Sequence, residues 1–420
     1  SDVYKRQWYK EMEKLYDESY VNTFGADVVQ LSGYTMKVPT SLRYGYTMFC
    51  EPDELLNENG IDGSTKDEIL SSLENYARTY YGSEDLGNYE SKNNPLNRFV
   101  AYHLLNRQMA TNNMVFDTPA ECIAQGSEGY WAEYYETMYT YRIMEIKIGN
   151  KINLQKNGHY VGIDEKNSNI DAVNGFIHTI TDVLVYDEEV MNNDVLHKRL
   201  RFDAYSIPPQ LTNNNIRWNN VDIPDANGYT MTPDYCGEYF TYNEASDCLL
   251  WGSRGWASYQ VDEINMKKGY DFTLRLLPVP PGNWELRIGY NAEGWRGMGQ
   301  IFVDGNLAGT PVDLKIGDVE GDPRAGWVAD AETADGGIEV DKMMRNLGYM
   351  KGPASCFLLN GNILLRDFYK SLRYIVGQYR FTDYGEHKLR ARNVDFSGRE
   401  FSIDYFELIP VDMIRDEDRY

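Results

Sequence analysis

The sequence predicts an α+β protein: an N-terminal α/β domain followed by an all-β jelly-roll sandwich. Three observations carry this reading. Helical and strand patterns alternate up to about residue 186; a polar, Asn- and Asp-rich stretch, Asp187–Lys198, follows; and from Arg199 short strand patterns are punctuated by Pro, Gly and Asn with no strong helical period. Alternating periods argue for mixed layers, and short strands between turn signals argue for a sandwich. The expected domains are residues 8–190 and 199–420, with Ser1–Gln7 left aside.

Within the first domain, Trp8–Tyr20 reads as an amphipathic helix. Tyr46–Cys50 is a short apolar strand, ended by Glu51-Pro52-Asp53 because the residue before a proline is held extended. Thr65 with Glu68 forms a capping-box pattern, and Ile69, Leu70, Leu73 and Tyr76 give the helical stripe behind it. Asn94-Pro95 opens another helix through Leu96, Phe99, Val100 and His103. Ala132–Arg142 is Tyr-rich and ambiguous, whereas Ile143–Ile148 alternates as a strand does. The Asn174-Gly175 turn leads into Phe176–His178 and an expected strand at Ile180–Tyr186.

In the second domain, Phe272–Leu277 and Trp284–Tyr290 are strand patterns joined by a connection of hairpin length, Pro278–Asn283. Trp284, Leu286, Ile288 and Tyr290 share one face, with Glu285 and Arg287 on the other. Gly299–Val303 ends in Asp304-Gly305, a type I′ turn signal. Gly317–Gly337 reads as a long acidic loop. The chain closes with Glu386–Val394, a turn at Ser397-Gly398, and Phe401–Ile409.

Composition sets the outer limits. Hydrophobic residues are 42% of the 420, enough for ordinary cores, and 41 basic against 64 acidic groups give a net charge of −23. That balance excludes a broad footprint for nucleic acid and argues against docking on an anionic membrane surface. The five cysteines (Cys50, Cys122, Cys236, Cys248 and Cys356) have no metal or redox spacing. They read as buried thiols, with a Cys236–Cys248 pair as the alternative in an oxidising compartment. No run reaches the ~18–20 apolar residues of a membrane helix. The chain starts Ser1-Asp2-Val3 without an initiator Met and reads as a fragment or processed form, in which a signal peptide or lipid-anchoring Cys upstream would not be visible.

Three boxes in order carry a resemblance. Asn174-Gly175-Phe176-Ile177-His178-Thr179-Ile180, with Val183-Leu184, is similar to the closing box of fasciclin domains. Tyr46–Leu56 resembles their opening box, and Tyr102-His103 falls where those domains carry a Tyr-His pair. Thr181 stands where an Asp is usual, and a Tyr-rich insertion occupies Gly126–Tyr141. The resemblance implies a compact α/β domain used for adhesion. Gly385–Leu389 and Phe401–Pro410 resemble the last two strands of galactose-binding-like jelly rolls, which include many carbohydrate-binding modules. The pair of domains is similar to surface lipoproteins of glycan-degrading Gram-negative gut bacteria. That implies a cell-surface or outer-membrane location, a polysaccharide partner, and a protein partner through the fasciclin-like domain.

Catalytic motifs are missing: no Gly-x-Ser-x-Gly elbow, no ordered Ser/His/Asp set and no HExxH. His103 and His178 read as core histidines tying a helix to a strand through backbone groups. The jelly-roll resemblance implies a structural calcium with Asp404 as ligand, while Asp318, Glu320 and Asp322 read as a solvated acidic loop. Trp251, Trp256, Tyr259, Trp284, Trp295 and Trp327 fall within 77 positions, and most of these Trp read as core, Trp284 above all. Trp256 and Trp295 differ, standing in the Gly-flanked polar turns Gly255–Ser258 and Glu293–Gly297. Two readings of them stay open: folded inward, or exposed to stack on the apolar C–H face of a pyranose. On the second reading Arg254, Arg296 and Asn291 supply hydrogen bonds or contacts to the sugar. The function expected is therefore a non-enzymatic glycan-binding or adhesion protein. A protein–protein adhesion module and a hydrolase with an unrecognised carboxylate pair are the alternatives.

Overall fold

The computed structural model describes residues 35–39, 42–115, 131–217, 228–252, 258–356, 363–395 and 399–414. The expected helix Trp8–Tyr20 lies outside them, as do Arg254 and Trp256. In the first half, Tyr46–Cys50 runs parallel to Gly175–Thr179, with Tyr46 opposite Gly175 and Cys50 opposite Thr179. A Cβ on Gly175 would sit 1.9 Å from the Tyr46 carbonyl oxygen, so only glycine lets these strands meet. Leu104–Leu105 and Ile170–Ala172 complete a four-stranded sheet, and Ala132–Glu136, Ile143–Lys147, Lys151–Leu154 and Tyr160–Gly162 form a second, antiparallel one.

The helices start where local chemistry directs them. Thr65 accepts from the Glu68 N–H and Glu68 returns to the Thr65 N–H, capping Lys66–Tyr81. Asn94 caps Pro95–Tyr102 by accepting from the N–H groups of Leu96 and Asn97. The two helices meet through Tyr81 and Phe99, edge to face with centroids 6.4 Å apart. Ile180–Tyr186 is not a strand: beyond an isolated bridge at Ile180 the segment is irregular. Its apolar residues Val183–Tyr186 are buried all the same, so burial produced the strand-like pattern.

The second half is built from three five-stranded sheets. One has the order Leu200–Asp203, Tyr405–Pro410, Gly282–Asn291, Ser371–Phe381, Tyr349–Lys351. A second runs Phe240–Tyr242, Asp271–Arg275, Lys388–Asn393, Met298–Val303, Asn306–Asp313. The third joins Thr35–Lys37, Gly228–Thr230, Ser246–Gly252, Asp262–Lys268 and Phe401–Ile403. Asp304 and Gly305 both have positive φ (48° and 78°), the I′ geometry of a tight hairpin. The Pro278–Asn283 connection does not close a hairpin. Asp271–Arg275 and Gly282–Asn291 lie in different sheets, so this proline-rich segment crosses from one layer to the other. The last strand pattern is likewise split: Phe401–Ile403 pairs with Asp262–Lys268, and after Asp404 the chain pairs with Gly282–Asn291.

Trp284, Leu286, Ile288 and Tyr290 face the core as their alternation required. The opposite face is polar but also buried. There Glu407 is ion-paired with Arg201 (2.7 Å), Arg373 (3.2 Å) and Arg287 (3.3 Å), and Arg287 also pairs with Glu285 at 2.8 Å. Arg345, in the last turn of the helix Ile338–Asn346, reaches this ladder and meets Glu285 at 2.5 Å.

Contacts also cross the expected domain boundary. Thr35–Lys37 pairs in parallel with Gly228–Thr230, and Arg275 meets Glu136 while Arg217 meets Glu133. The Asp187–Lys198 stretch forms a short helical turn and a π-helical turn, Met191–Val195, and buries Val190, Met191, Val195 and Leu196 in the core that both halves share.

Candidate functional site

The Trp295 turn sits where Gly282–Asn291 passes into Met298–Val303. Ala292 N–H donates to the Lys370 carbonyl, Arg296 N–H to that of Glu293 (2.9 Å), and Gly297 N–H to that of Glu400 (2.7 Å). These bonds make a tight, tethered turn. Trp295 projects from it, 51% exposed, with its indole N–H donating to Glu400 Oε1 at 3.0 Å. Glu400 Oε2 lies 3.3 Å from Lys267 Nζ, and Arg399 Nη1 donates to the Gly294 carbonyl at 3.3 Å. The result is an indole face held from its nitrogen edge and flanked by Lys267 and Arg399. Such a ring can stack on an apolar sugar face while the flanking cations meet hydroxyls or acidic groups.

Arg296 plays a different part from the one expected. It is fully buried, with Nη2 2.7 Å from Glu263 Oε1 and Nη1 2.5 Å from Glu400 Oε1, and it also donates to Asn265 Oδ1 and the Asn291 carbonyl. Its guanidinium neutralises two carboxylates and props the turn from beneath, so it has no donor directed outward to a ligand. Asn291 is buried as well, with Oδ1 lacking a hydrogen-bond partner, and is no surface contact. Among the described members of the expected constellation, Trp295, Arg296 and Asn291, Trp295 is the one exposed. Sequence reasoning missed Lys267, Arg399 and Glu400, which lie on other elements. The signal available was Glu400 following Ser397-Gly398, an expected turn that lies outside the described residues, but nothing in the spacing tied it to Trp295.

Asp404 is buried, and its Oδ2 accepts the Tyr259 N–H at 2.8 Å. Burial, with Glu263 and Asp203 nearby, pushes its carboxyl well above the usual range. Burial also raises Asp203 to about 6 and Asp262 well above its ordinary value, each reinforced by neighbouring carboxylates. Among the described residues no group of three or more His, Cys, Asp or Glu side chains is disposed to hold a metal ion. In the acidic loop Asp322 is tied to Arg324 at 2.7 Å and to the Gly317 N–H, holding its carboxyl at about 2.

His178 is satisfied by backbone on both nitrogens, from the Met109 carbonyl and the Asn169 N–H. His103 is bonded to the Phe99 carbonyl through Nδ1, but its Nε2 meets Glu51 Oε1 at 2.8 Å. Cys50, Cys236 and Cys248 are free thiols, so Cys236 and Cys248 are not joined.

No family model and no curated protein matches the chain. Solved structures that resemble part of it include a xanthan lyase from Paenibacillus, with 14% identity, a TM-score of 0.25, and 42% of this chain matched to 13% of the lyase. A family 35 carbohydrate binding module from Clostridium thermocellum has 9% identity and a TM-score of 0.22, covering 41% of this chain and 92% of the module. A Bacteroides uniformis β-glucuronidase has 10% identity and a TM-score of 0.17, covering 36% of this chain and 11% of the enzyme. All three descriptions concern carbohydrate, but likenesses this slight decide neither architecture nor activity. The β-rich, sandwich-like architecture is read from the strand pairing itself.

Proposed function

We propose that this is a non-enzymatic glycan-binding protein of the cell surface, accessory to polysaccharide capture, in which the Trp295 turn supplies the stacking face. On this reading the first half is a fasciclin-like adhesion domain and a lipid anchor lies upstream of the described chain. The observation that carries the proposal is a large indole left 51% exposed yet fixed in orientation by Glu400. An exposed Trp costs solubility unless something covers it, and pre-orientation lowers the entropy lost on binding.

Retention on affinity gels containing soluble polysaccharides tests this, with the full chain and Trp295→Ala compared. A dissociation constant around ~0.1–1 mM is expected, about −4 to −5.5 kcal/mol. Loss of a stacking platform removes ~2 kcal/mol or more, enough to abolish retention. Equal retention of both proteins would sink the assignment. Release of reducing ends from the same polysaccharides would instead favour the hydrolase reading.

One observation favours the protein-adhesion reading. A cleft of about 470 Å³ opens between Lys66–Tyr81, Pro95–Tyr102 and the segment around Met138, lined by Leu70, Leu96, Val100 and Met138. Cross-linking of the full chain to a partner through Met138→Cys, with no polysaccharide retention, would shift the balance to that reading.

A further inference from the structure

A second cleft, of about 500 Å³, lies at the far end of the Gly282–Asn291 strand from Trp295. At about 3.3 Å per residue the two ends of that strand are roughly 30 Å apart. One wall is the π-helical turn that follows the first half, carrying Asn192 and Asn193, with His197 just beyond it. The other is the sandwich, contributing Asn283, the edge of Trp284 and Asp412. His197 Nε2 lies 3.0 Å from Asp412 Oδ2, bridging the two walls.

The polar groups of this lining have a particular chemistry. Asn193 donates through Nδ2 to the Glu189 carbonyl, and Asn192 Oδ1 accepts from the Tyr384 hydroxyl. Each amide is thereby oriented by one bond and keeps its other end for a ligand. Asn283 is exposed at the mouth. Amides pair well with hydroxyls, which both donate and accept. The rings of Pro280, Pro281 and Pro410 supply rigid apolar lining. Trp284 is locked by its N–H to the Pro280 carbonyl at 2.9 Å. Among the described lining residues there is no Lys or Arg, so nothing recommends an anionic ligand. The volume falls within the ~300–1,000 Å³ typical of small-ligand sites.

We infer that this cleft is a binding site for a neutral, hydroxyl-rich ligand of one or two sugar units. It shares its ligand class with the reading above, on which it rests for that class alone, and none of its residues belongs to the Trp295 turn. Two sites on one sandwich would engage a single polysaccharide at two points, raising avidity without either site being strong.

The test uses the full chain labelled with 5-fluorotryptophan, with the Trp284 and Trp295 fluorine resonances assigned by single Trp→Phe variants. The probes are cellobiose, xylobiose and mannobiose, with digalacturonate as the anionic comparison, each titrated to millimolar concentration. At least one neutral disaccharide should move the Trp284 resonance. Asn283→Ala and Asp412→Ala, both at exposed positions, should each weaken that titration by about tenfold, and Trp295→Ala should leave it unchanged. Asn283→Trp, which fills the mouth, should abolish it while melting like the parent. The inference is overturned if no neutral disaccharide moves Trp284, if only digalacturonate does, or if the Asn283→Trp protein titrates like the parent. Loss of the Trp295 response with Trp284 still responding would refute the turn and leave the cleft standing.

Discussion

Replacing Glu407 by Gln should unfold the sandwich more readily than any surface change, because the carboxylate is the shared counter-ion of a buried arginine cluster. Arg201 lies 2.7 Å away, Arg373 3.2 Å, Arg287 3.3 Å and Arg199 3.9 Å, and every one of these side chains is at most 5% exposed. Gln keeps the shape and removes the charge. Arg287 retains Glu285 at 2.8 Å, but Arg201 and Arg373 lose the carboxylate that offsets their desolvation. Removing one partner of a buried pair costs about 3–5 kcal/mol, and the shared geometry puts this site at the upper end. The pH dependence gives a second arm. Burial alone would raise the Glu407 carboxyl, but Arg373, Arg201, Arg199 and Arg287 together outweigh it and hold it far below its ordinary value of 4.5. Its contribution is therefore complete above about pH 4.5 and is lost only as pH falls toward the depressed folded value. Urea unfolding followed by Trp fluorescence, at pH 7 and pH 5, measures both. A Glu407→Gln penalty below ~1 kcal/mol at pH 7, or one that has already vanished at pH 5, would refute this account of the ladder.

Arg296→Ala should cost about 3–5 kcal/mol by stranding buried Glu263, whereas Trp295→Ala should cost less than ~1 kcal/mol; denaturation of the two neighbours side by side checks this contrast. Gly175→Ala should be severe, at least ~2–3 kcal/mol, since the new Cβ meets the Tyr46 carbonyl at 1.9 Å; a melting curve matching the parent would contradict the strand pairing. Burial would lower the His103 pKa, but the charge and hydrogen bond of Glu51 raise it above 6.5, and Glu51 is itself lowered below 4.5 against the effect of burial. The pair therefore contributes most between about pH 4.5 and 6.5 and fades as pH rises through the raised histidine value. The stability difference between parent and Glu51→Gln should be larger at pH 5.5 than at pH 9, and the reverse order would rule this out.

What could be read from the sequence was the chemistry that acts over a few residues. The Thr65–Glu68 capping box, the Asn94-Pro95 start and the Asp304-Gly305 turn are all present where their side chains and backbone preferences put them. The helix Ile338–Asn346 was hidden because it follows a Gly- and Asp-rich loop and leaves Ile338 and Met343 exposed, so no buried stripe marks it. Layer assignment was equally hidden. Asp271–Arg275 and Gly282–Asn291 look like hairpin partners, and only tertiary packing sends them to different sheets. At the turn, the flanking glycines left Trp295 open to burial or exposure, and the structure exposes it; the same polar context suggested an exposed Arg296. Its burial follows from Glu263 and Glu400, acids 33 and 104 residues away that no local spacing connects to it.

The edge strand Asn306–Asp313 has a bearing on how copies of this protein behave when crowded together. Most outer strands of the described sheets are two to five residues long, too short to template another chain, but this one has eight. It is interrupted from within: its register against Met298–Val303 shifts, Gly309 has a φ of 60°, and Pro311 offers no N–H. Those breaks deny a neighbouring strand a continuous row of donors and acceptors. Leu307, 65% exposed on that edge, can therefore meet another molecule by side-chain contact, while growth of a shared intermolecular sheet from it is blocked by the backbone itself.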